Sequence, residues 1–370
     1  MKSIFAVIFM LVAIFSVNFY VFYRIWNVMP TNGLFSKTVI IATAILLVFS
    51  IFAGLAGGNV LPVPLVTFLY RLGTSWFFIC LYLLMIFVLI DILRLTHLFP
   101  IEKYVFGNWF AFGVMASLIT LVMTWGYFRY QDKERVELHI TINKEMGLQT
   151  PLKIVAISDL HLGFAIGKNE FEQWIELINK ENPDIVLIAG DIIDNNTKVL
   201  EKQNIAASFR KIKSKYGVYA ALGNHEYIGN ISKSLDFLHR AGITVLQDSA
   251  ALVDACFYVV GRDDRSNSKR KTIEELTATL DKSKPIFLID HQPYHLEEAA
   301  KNEIDFQLSG HTHRGQVFPI SLITDKMYEK SHGYIQKENT HIYVTSGLGI
   351  WGGKFRIGSR SEYVVIMVND

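Results

Sequence analysis

Lys153-Ile-Val-Ala-Ile-Ser-Asp159-Leu-His161-Leu-Gly163 runs through small and β-branched apolar residues and stops at a carboxylate, one spacer and an imidazole. The apolar run predicts a buried strand. Strand side chains repeat with period two, so Asp159 and His161 leave the strand end on one face. Both are metal-ligand types. Alone, the pattern reads more simply as a strand end with a hydrogen-bonded Asp and a surface His. The rest of the chain overturns that reading.

Downstream, helices and strands alternate. Phe171, Trp174, Ile175 and Ile178 recur at i, i+3, i+4, i+7, an amphipathic helix. Asp184–Ala189 predicts a strand running into Gly190-Asp191-Ile-Ile-Asp194. A helical stretch with Ile205, Phe209 and Ile212 leads to a strand over 217–222, which ends at Gly223-Asn224-His225-Glu226. Thr272-Ile-Glu-Glu275 has the spacing of a capping box. Strands over 285–289 and 305–309 end at Asp290-His291-Gln292-Pro293 and Gly310-His311-Thr312-His313, and the last strands cover 342–345 and 363–368. Upstream, Val136-Glu-Leu138-His-Ile140-Thr-Ile142 alternates and predicts a first edge strand within a connector at 129–150. The alternation argues an α/β domain over 151–370.

Strand after strand thus ends in ligand-type residues: Asp159/His161, Asp191, Asn224/His225, His291 and His311/His313. In α/β sheets, sites assemble at the carboxyl ends of strands. Four imidazoles (His161, His291, His311, His313), two carboxylates (Asp159, Asp191) and the Asn224 amide exceed what one tetrahedral ion takes. They suit two divalent ions sharing a carboxylate. A mixed N/O set without thiolates favours manganese, iron or zinc over magnesium or calcium, with manganese preferred. Two ions roughly 3.5–4 Å apart can clamp a phosphoryl group and turn a bridging water into hydroxide.

As a set, in this order, the blocks resemble the calcineurin-like metallophosphoesterases, and Arg314-Gly315-Gln316 resembles their membrane-anchored bacterial phosphodiesterase branch. The resemblance covers the domain containing residues 154–313 and implies a two-sheet αββα sandwich. It implies that Asp159, His161 and His313 hold one metal, that Asn224, His291 and His311 hold the other, and that Asp191 bridges both. His225 would protonate the leaving oxygen or stabilise phosphoryl charge, with orientation of a neighbour as the plainer role. Asp194 and Glu226 are expected behind the ligands, accepting the other N–H of ligand imidazoles. The branch implies a bacterial inner membrane.

Of the 370 residues, 51% are hydrophobic and the formal net charge is +2. That is too apolar for one ordinary soluble domain and too charged for a chain wholly within a membrane. The small charge suggests no polyanion-binding surface, and nucleic acid is not expected as a partner. Cys80 and Cys256 offer no disulfide framework and leave the compartment open. Apolar runs at 3–23, 38–57, 75–93 and 105–128 each approach the ~20 residues that cross a hydrocarbon core. The first is long for a cleavable signal and three more follow, so a four-span anchor over 1–128 is expected, with the lipid bilayer as partner.

An even number of spans puts the catalytic domain on the N-terminal side. Lys2, Arg71, Arg129, Lys133 and Arg135 lie on that side, and Arg24, Lys37, Arg94 and Lys103 on the other. The excess favours the cytoplasm. Asp91 and Arg94 predict a local i, i+3 ion pair. Asn18 and the Gly54/Gly57/Gly58 cluster predict helix packing or a loop boundary. An anchor is the leading reading of the bundle, and help in binding a lipid substrate is the alternative.

Phe318, Ile320, Leu322, Ile323, Met327 and Tyr328 lie in a long mixed segment before Thr340. Beyond it, Gly347-Leu-Gly-Ile-Trp351-Gly-Gly-Lys354-Phe-Arg356-Ile-Gly358 is glycine-rich, aromatic and basic. Lys354 and Arg356, with Arg314, are candidates to meet phosphate oxygens. A surface loop packed by Trp351 and Phe355 accounts for the segment equally well. An apolar rim on a tethered hydrolase suits a lipid phosphodiester or a lipid-linked diphosphate. The leading expectation is therefore a membrane-bound two-metal phosphoesterase, with a phosphodiester as its first substrate class. A lipid-linked nucleotide diphosphate hydrolase is the alternative, although an arginine often follows Gly-Asn in that branch and His225 stands here. A scaffold or sensor without turnover would be marked by lost ligands, and none is lost. A transporter is disfavoured by the charge-poor spans.

Overall fold

The computed structural model describes residues 2–30 and 34–370. The side chain of Lys2, one of the basic residues counted above, lies outside what is described. The chain divides into two compact units, Met1–Tyr127 and Phe128–Asp370.

The helices α1 (Lys2–Val28), α2 (Leu34–Ala56), α3 (Val63–Leu95), the short α4 (Ile101–Val105) and α5 (Trp109–Gln131) come first. Four stretches, Ile8–Val28, Ser36–Ala56, Val63–Leu95 and Trp109–Gln131, are long and apolar enough to cross a membrane. α3 starts well before the expected residue 75, because Pro64 in its first turn starts a helix without losing a bond. α2 and α3 meet backbone to backbone: a Cβ on Gly73 would lie 2.3 Å from Ile51 N, and one on Gly54 2.7 Å from Tyr70 Cα. Small residues allow that approach between membrane helices. Asn18 on α1 accepts a hydrogen bond from Trp76 Nε1 on α3 at 2.8 Å. The expected Asp91–Arg94 pair is replaced by others. Asp91 accepts from Arg24 and Tyr20 on α1, and Arg94 pairs with Glu102 on α4. Two donors from another helix satisfy a carboxylate on an apolar helix better than one i, i+3 neighbour.

The second unit continues with β1 (Lys133–Thr141), β2 (Leu152–Ile157), α6 (Lys168–Lys180), β3 (Ile185–Ala189), α7 (Thr197–Lys202), α8 (Ile205–Phe209) and β4 (Val218–Ala221). Next come α9 (Asn224–Gly229), α10 (Ile231–Arg240), β5 (Thr244–Val245), β6 (Ser249–Val253), β7 (Phe257–Gly261), α11 (Ile273–Thr277) and β8 (Ile286–Ile289). The chain closes through α12 (Glu297–Lys301), β9 (Phe306–Ser309), α13 (Ile320–Met327), β10 (Gly333–Lys337), β11 (Thr340–Val344) and β12 (Ser361–Asn369).

These strands form two six-stranded sheets, ordered β1-β12-β2-β3-β4-β5 and β10-β11-β9-β8-β7-β6. β2 to β5 run parallel, as do β7, β8, β9 and β11. Period two divides each strand's side chains between two faces. Ile154, Ala156, Ile185 and Leu187 of the first sheet share one core with Phe257, Phe287, Phe306 and Leu308 of the second. On the outer face of the second sheet, Val260, Ile286 and Leu288 pack with Ile273 and Leu276 of α11 and Ala299 of α12. α6 buries Phe171, Trp174, Ile175 and Ile178, as their spacing predicts. α11 starts on the Thr272–Glu275 capping box. The result is a two-sheet α/β sandwich.

Candidate metal centre

Each ligand-type block follows a strand at its carboxyl end: β2 and β3, neighbours in the first sheet, with β4 beside them, and β8 and β9, neighbours in the second. The chain turns sharply there. Asp159, His161, Asp191, His311 and His313 all hold positive φ, between 44° and 70°. Such backbone costs energy for a side chain-bearing residue and concentrates at functional sites.

The side chains converge. Asp159/His161/His313, His161/Asp191/His225 and Asp191/His291/His311 each bring ligand-type atoms within 4.8 Å of one another. His161 Nε2 and His313 Nε2 face each other at 3.1 Å, with Asp159 Oδ1 3.9 and 3.5 Å away from them. Asp191 Oδ2 lies 3.7 Å from His161 Nε2 and 3.2 Å from His291 Nε2, so it stands between the groups. Asn224 Oδ1 is 3.3 Å from His291 Nε2. Two imidazole nitrogens held at 3.1 Å need a proton or a cation between them, and adjacent carboxylates favour a cation. The set fits divalent metal without thiolates.

For His313 and His311 the electrostatics point the same way, whereas on His291 burial opposes charge but the Asp191 carboxylate holds the imidazole above its ordinary range. Burial, and then His161, push the His313 imidazole well below its ordinary range, and burial with His291 pushes His311 down to about 4. Neutral imidazoles are the form that binds metal. Burial opposes charge on Asp191, yet His291 and the other imidazoles hold its carboxyl well below the usual range.

The supporting contacts are specific. His291 Nδ1 donates to the Ala189 carbonyl at 2.6 Å, which leaves Nε2 as the ligand-type nitrogen. Asp194 Oδ1 lies 3.7 Å from His161 Nδ1 and 3.3 Å from His225 Nδ1, and the Asp194 carbonyl accepts from His225 Nδ1 at 2.6 Å. Glu226 differs from expectation. Among the described residues it makes no hydrogen bond to an imidazole and accepts instead from the backbone N–H of Asp191 (3.1 Å), Ile193 (2.9 Å) and Gly223 (2.7 Å). It thereby ties the turn after β3 to the turn after β4. Burial and the Asp191 charge push it up to about 7.

The family profile described as Calcineurin-like phosphoesterase matches residues 152–315. An uncharacterized metallophosphoesterase of Aquifex aeolicus (strain VF5) is 31% identical over 242 residues, spanning 63% of this chain and 91% of its own. The chain belongs to the calcineurin-like phosphoesterases. A transmembrane protein with metallophosphoesterase domain from Danio rerio is 31% identical over 287 residues, covering 73% of this chain and 65% of that one. An uncharacterized metallophosphoesterase of Campylobacter jejuni is 34% identical over 224 residues, covering 59% of each. The chain thus spans 59–65% of the length of these two relatives. Among solved structures, a 5'-nucleotidase precursor from Thermus thermophilus aligns over 59% of this chain and 55% of its own, at 15% identity and a TM-score of 0.36.

Within this calcineurin-like domain, the candidate substrate residues part company. Arg356 is fully buried and donates to the carbonyls of His313 (2.8 Å), Ser346 (2.7 Å) and Gly349 (2.9 Å). Its donors are engaged by backbone carbonyls and by the Ser359 and Ser361 hydroxyls, so it clamps loops around the site. Lys354 pairs with Glu170, which also accepts from Tyr130. Arg314 is exposed directly after His313. Asp290 went unread in the sequence. It is buried between Arg262 (3.3 Å) and Arg270 (3.1 Å) and braces the backbone just before His291. Its signal was available: an acid following an apolar strand needs a buried cation. Tyr328, from the mixed segment before Thr340, lies with its ring 6.3 Å from that of His311 and its hydroxyl 3.1 Å from that of Tyr294.

Proposed function

We propose that the chain is a membrane-anchored, metal-dependent phosphoesterase whose preferred bond is a phosphodiester. One observation carries the reading: Asp191 Oδ2 stands between His161 and His291, so the donors fall into two groups that share a carboxylate. Asp159, His161 and His313 would hold one ion, Asn224, His291 and His311 the other, and Asp191 both. When bound, two divalent ions, manganese foremost, supply Lewis-acid stabilisation of phosphoryl charge and an activated nucleophile near neutral pH. The protein's own part is positioning. Ala189 and Asp194 orient the His291 and His225 rings through Nδ1. With Nδ1 engaged, His225 turns Nε2 away from Asp194, and its partial exposure suits a group that hands a proton to a leaving oxygen.

The four spans and an apolar rim favour a lipid phosphoester as substrate. The basic residues favour the cytoplasmic face of a bacterial inner membrane. The test is turnover by the full chain, solubilised and loaded with manganese, on phosphomonoesters, bis-p-nitrophenyl phosphate, phospholipids and nucleotide-linked lipids. Turnover of diesters ahead of monoesters and diphosphates is expected. Turnover of none of them would overturn the proposal, and preference for a lipid-linked diphosphate would replace the diester with the anhydride.

A further inference from the structure

Directly after the His311–His313 turn, the chain builds α13 and leaves its apolar residues outside. Phe318, Leu322, Ile323 and Met327 are each 44–62% exposed. Leu322, Ile323, Lys326 and Met327 share one helix face, since Leu322/Lys326 and Ile323/Met327 are i, i+4 pairs. A soluble surface of this kind marks an interaction site. Its charges are selective. The acids are engaged, Asp325 by the Ser331 hydroxyl and Glu329 by Lys337. Arg314, Lys326 and Lys330 have no ion-pair partner among the described residues. An exposed apolar stripe edged by unpaired cations is the signature of a helix that lies in a lipid interface, where anionic headgroups attract nearby Lys and Arg.

Three further observations tie the stripe to the bilayer and to the site. Asp132 alone separates the last membrane-crossing helix from β1, so covalent length keeps this domain at a membrane surface. Gly315, at φ +68°, lets the start of α13 sit on the turn after His313, where a Cβ would meet Ser321 N at 2.4 Å. At the other end, Tyr328 packs beside His311, and Ser331 O accepts from Thr312 Oγ1 at 2.5 Å. α13 is thus strapped at both ends to the turn that carries His311 and His313.

We infer that α13 with Phe318 is a bilayer-docking element, which lays Leu322, Ile323 and Met327 into the acyl boundary and holds the metal centre at headgroup level, where a lipid phosphoester is the substrate. The docking stands on the helix and the short linker at Asp132; the choice of substrate rests on the phosphoesterase reading.

The test uses the full chain in nanodiscs containing anionic phospholipid, in a Cys80→Ala, Cys256→Ser background. An environment-sensitive fluorophore is placed at Ile323→Cys, or at Lys282→Cys before β8, at the opposite ends of the strands. Nitroxide-labelled lipid should quench the label at 323 several-fold more than the label at 282. Equal quenching overturns the docking, and self-quenching between labels at 323 overturns it in favour of a second copy of the chain. In the same discs, Leu322→Ser/Ile323→Ser/Met327→Ser should lower the ratio of lipid to bis-p-nitrophenyl phosphate turnover by about tenfold or more, as loss of three buried apolar side chains requires. An unaltered ratio overturns the choice of a lipid substrate. If the wild-type chain turns over neither ester, the phosphoesterase reading fails while the quenching still decides the docking.

Discussion

Asp191 is the side chain proposed to serve both metal groups, so its charge is the sharpest place to test them. Asp191→Asn keeps the shape and removes the charge. Occupancy of both metals should fall together by elemental analysis, and turnover with it. A variant with full metal content and activity would sink the shared carboxylate. His225 separates assembly from chemistry. It follows Asn224 at the site, and its Nδ1 is held by Asp194. It also lies within 4.8 Å of His161 and Asp191 ligand atoms, close enough to be a ligand itself. If it serves as an acid, His225→Ala should cost roughly 10²–10⁴ in rate, most for alkyl esters and least for nitrophenyl esters, whose leaving group needs no proton. Metal content should stay near wild type. Loss of metal would make it a ligand, and an equal deficit for both ester types would make it a phosphoryl-binding group.

Arg356 joins elements that the chain keeps apart, the turn after β9 and the glycine-rich loop before β12. Arg356→Met should leave the carbonyls of Ser346 and Gly349 without their donor, and that of His313 with the Gln316 N–H alone, at about 1–3 kcal/mol for each buried group left unpaired. The expected result is a lower melting temperature, with Arg356→Lys restoring only part, because an ammonium lacks the planar fork. A melt unmoved by the change, with KM raised, would return Arg356 to the substrate. The ligand blocks were legible because each strand is an apolar run cut off by residues that have no reason to stand there except chemistry. The basic loop was not legible in the same way. Lys354 finds Glu170 and Arg262 finds Asp290 only after the sheets assemble, so spacing along the chain cannot say which cation turns inward. The same limit hid the outward face of α13 and the backbone role of Glu226. The Arg24–Asp91 contact escapes the i, i+3 expectation for that reason too, since its partners are on different helices.

For the whole molecule, topology and metal are the two global variables. The basic residues near the span ends favour a cytoplasmic catalytic domain, so a reporter fused after Asp370 should be active there, and one that matures only outside would reverse the orientation. Metal binding should hold the folded domain together. Chelation should lower the melting temperature of the full chain and manganese restore it, since a ligand at 100 times its Kd stabilises by about 2.7 kcal/mol. A melt indifferent to both would mean that the buried donors hold themselves together without a cation. The strand order β1-β12-β2 adds a timetable. β1 leaves the ribosome just behind the last span, yet its sheet neighbour among the described residues, β12, is synthesised after every other described strand. Until then β1 and β2 offer unpaired edges beside a lipid surface, and edges of that kind recruit other chains. Such distant pairing is also slow to form. A ribosome that stalls before residue 361 would therefore leave an anchored, adhesive fragment at the membrane, a load for quality control that a freely diffusing hydrolase would never impose.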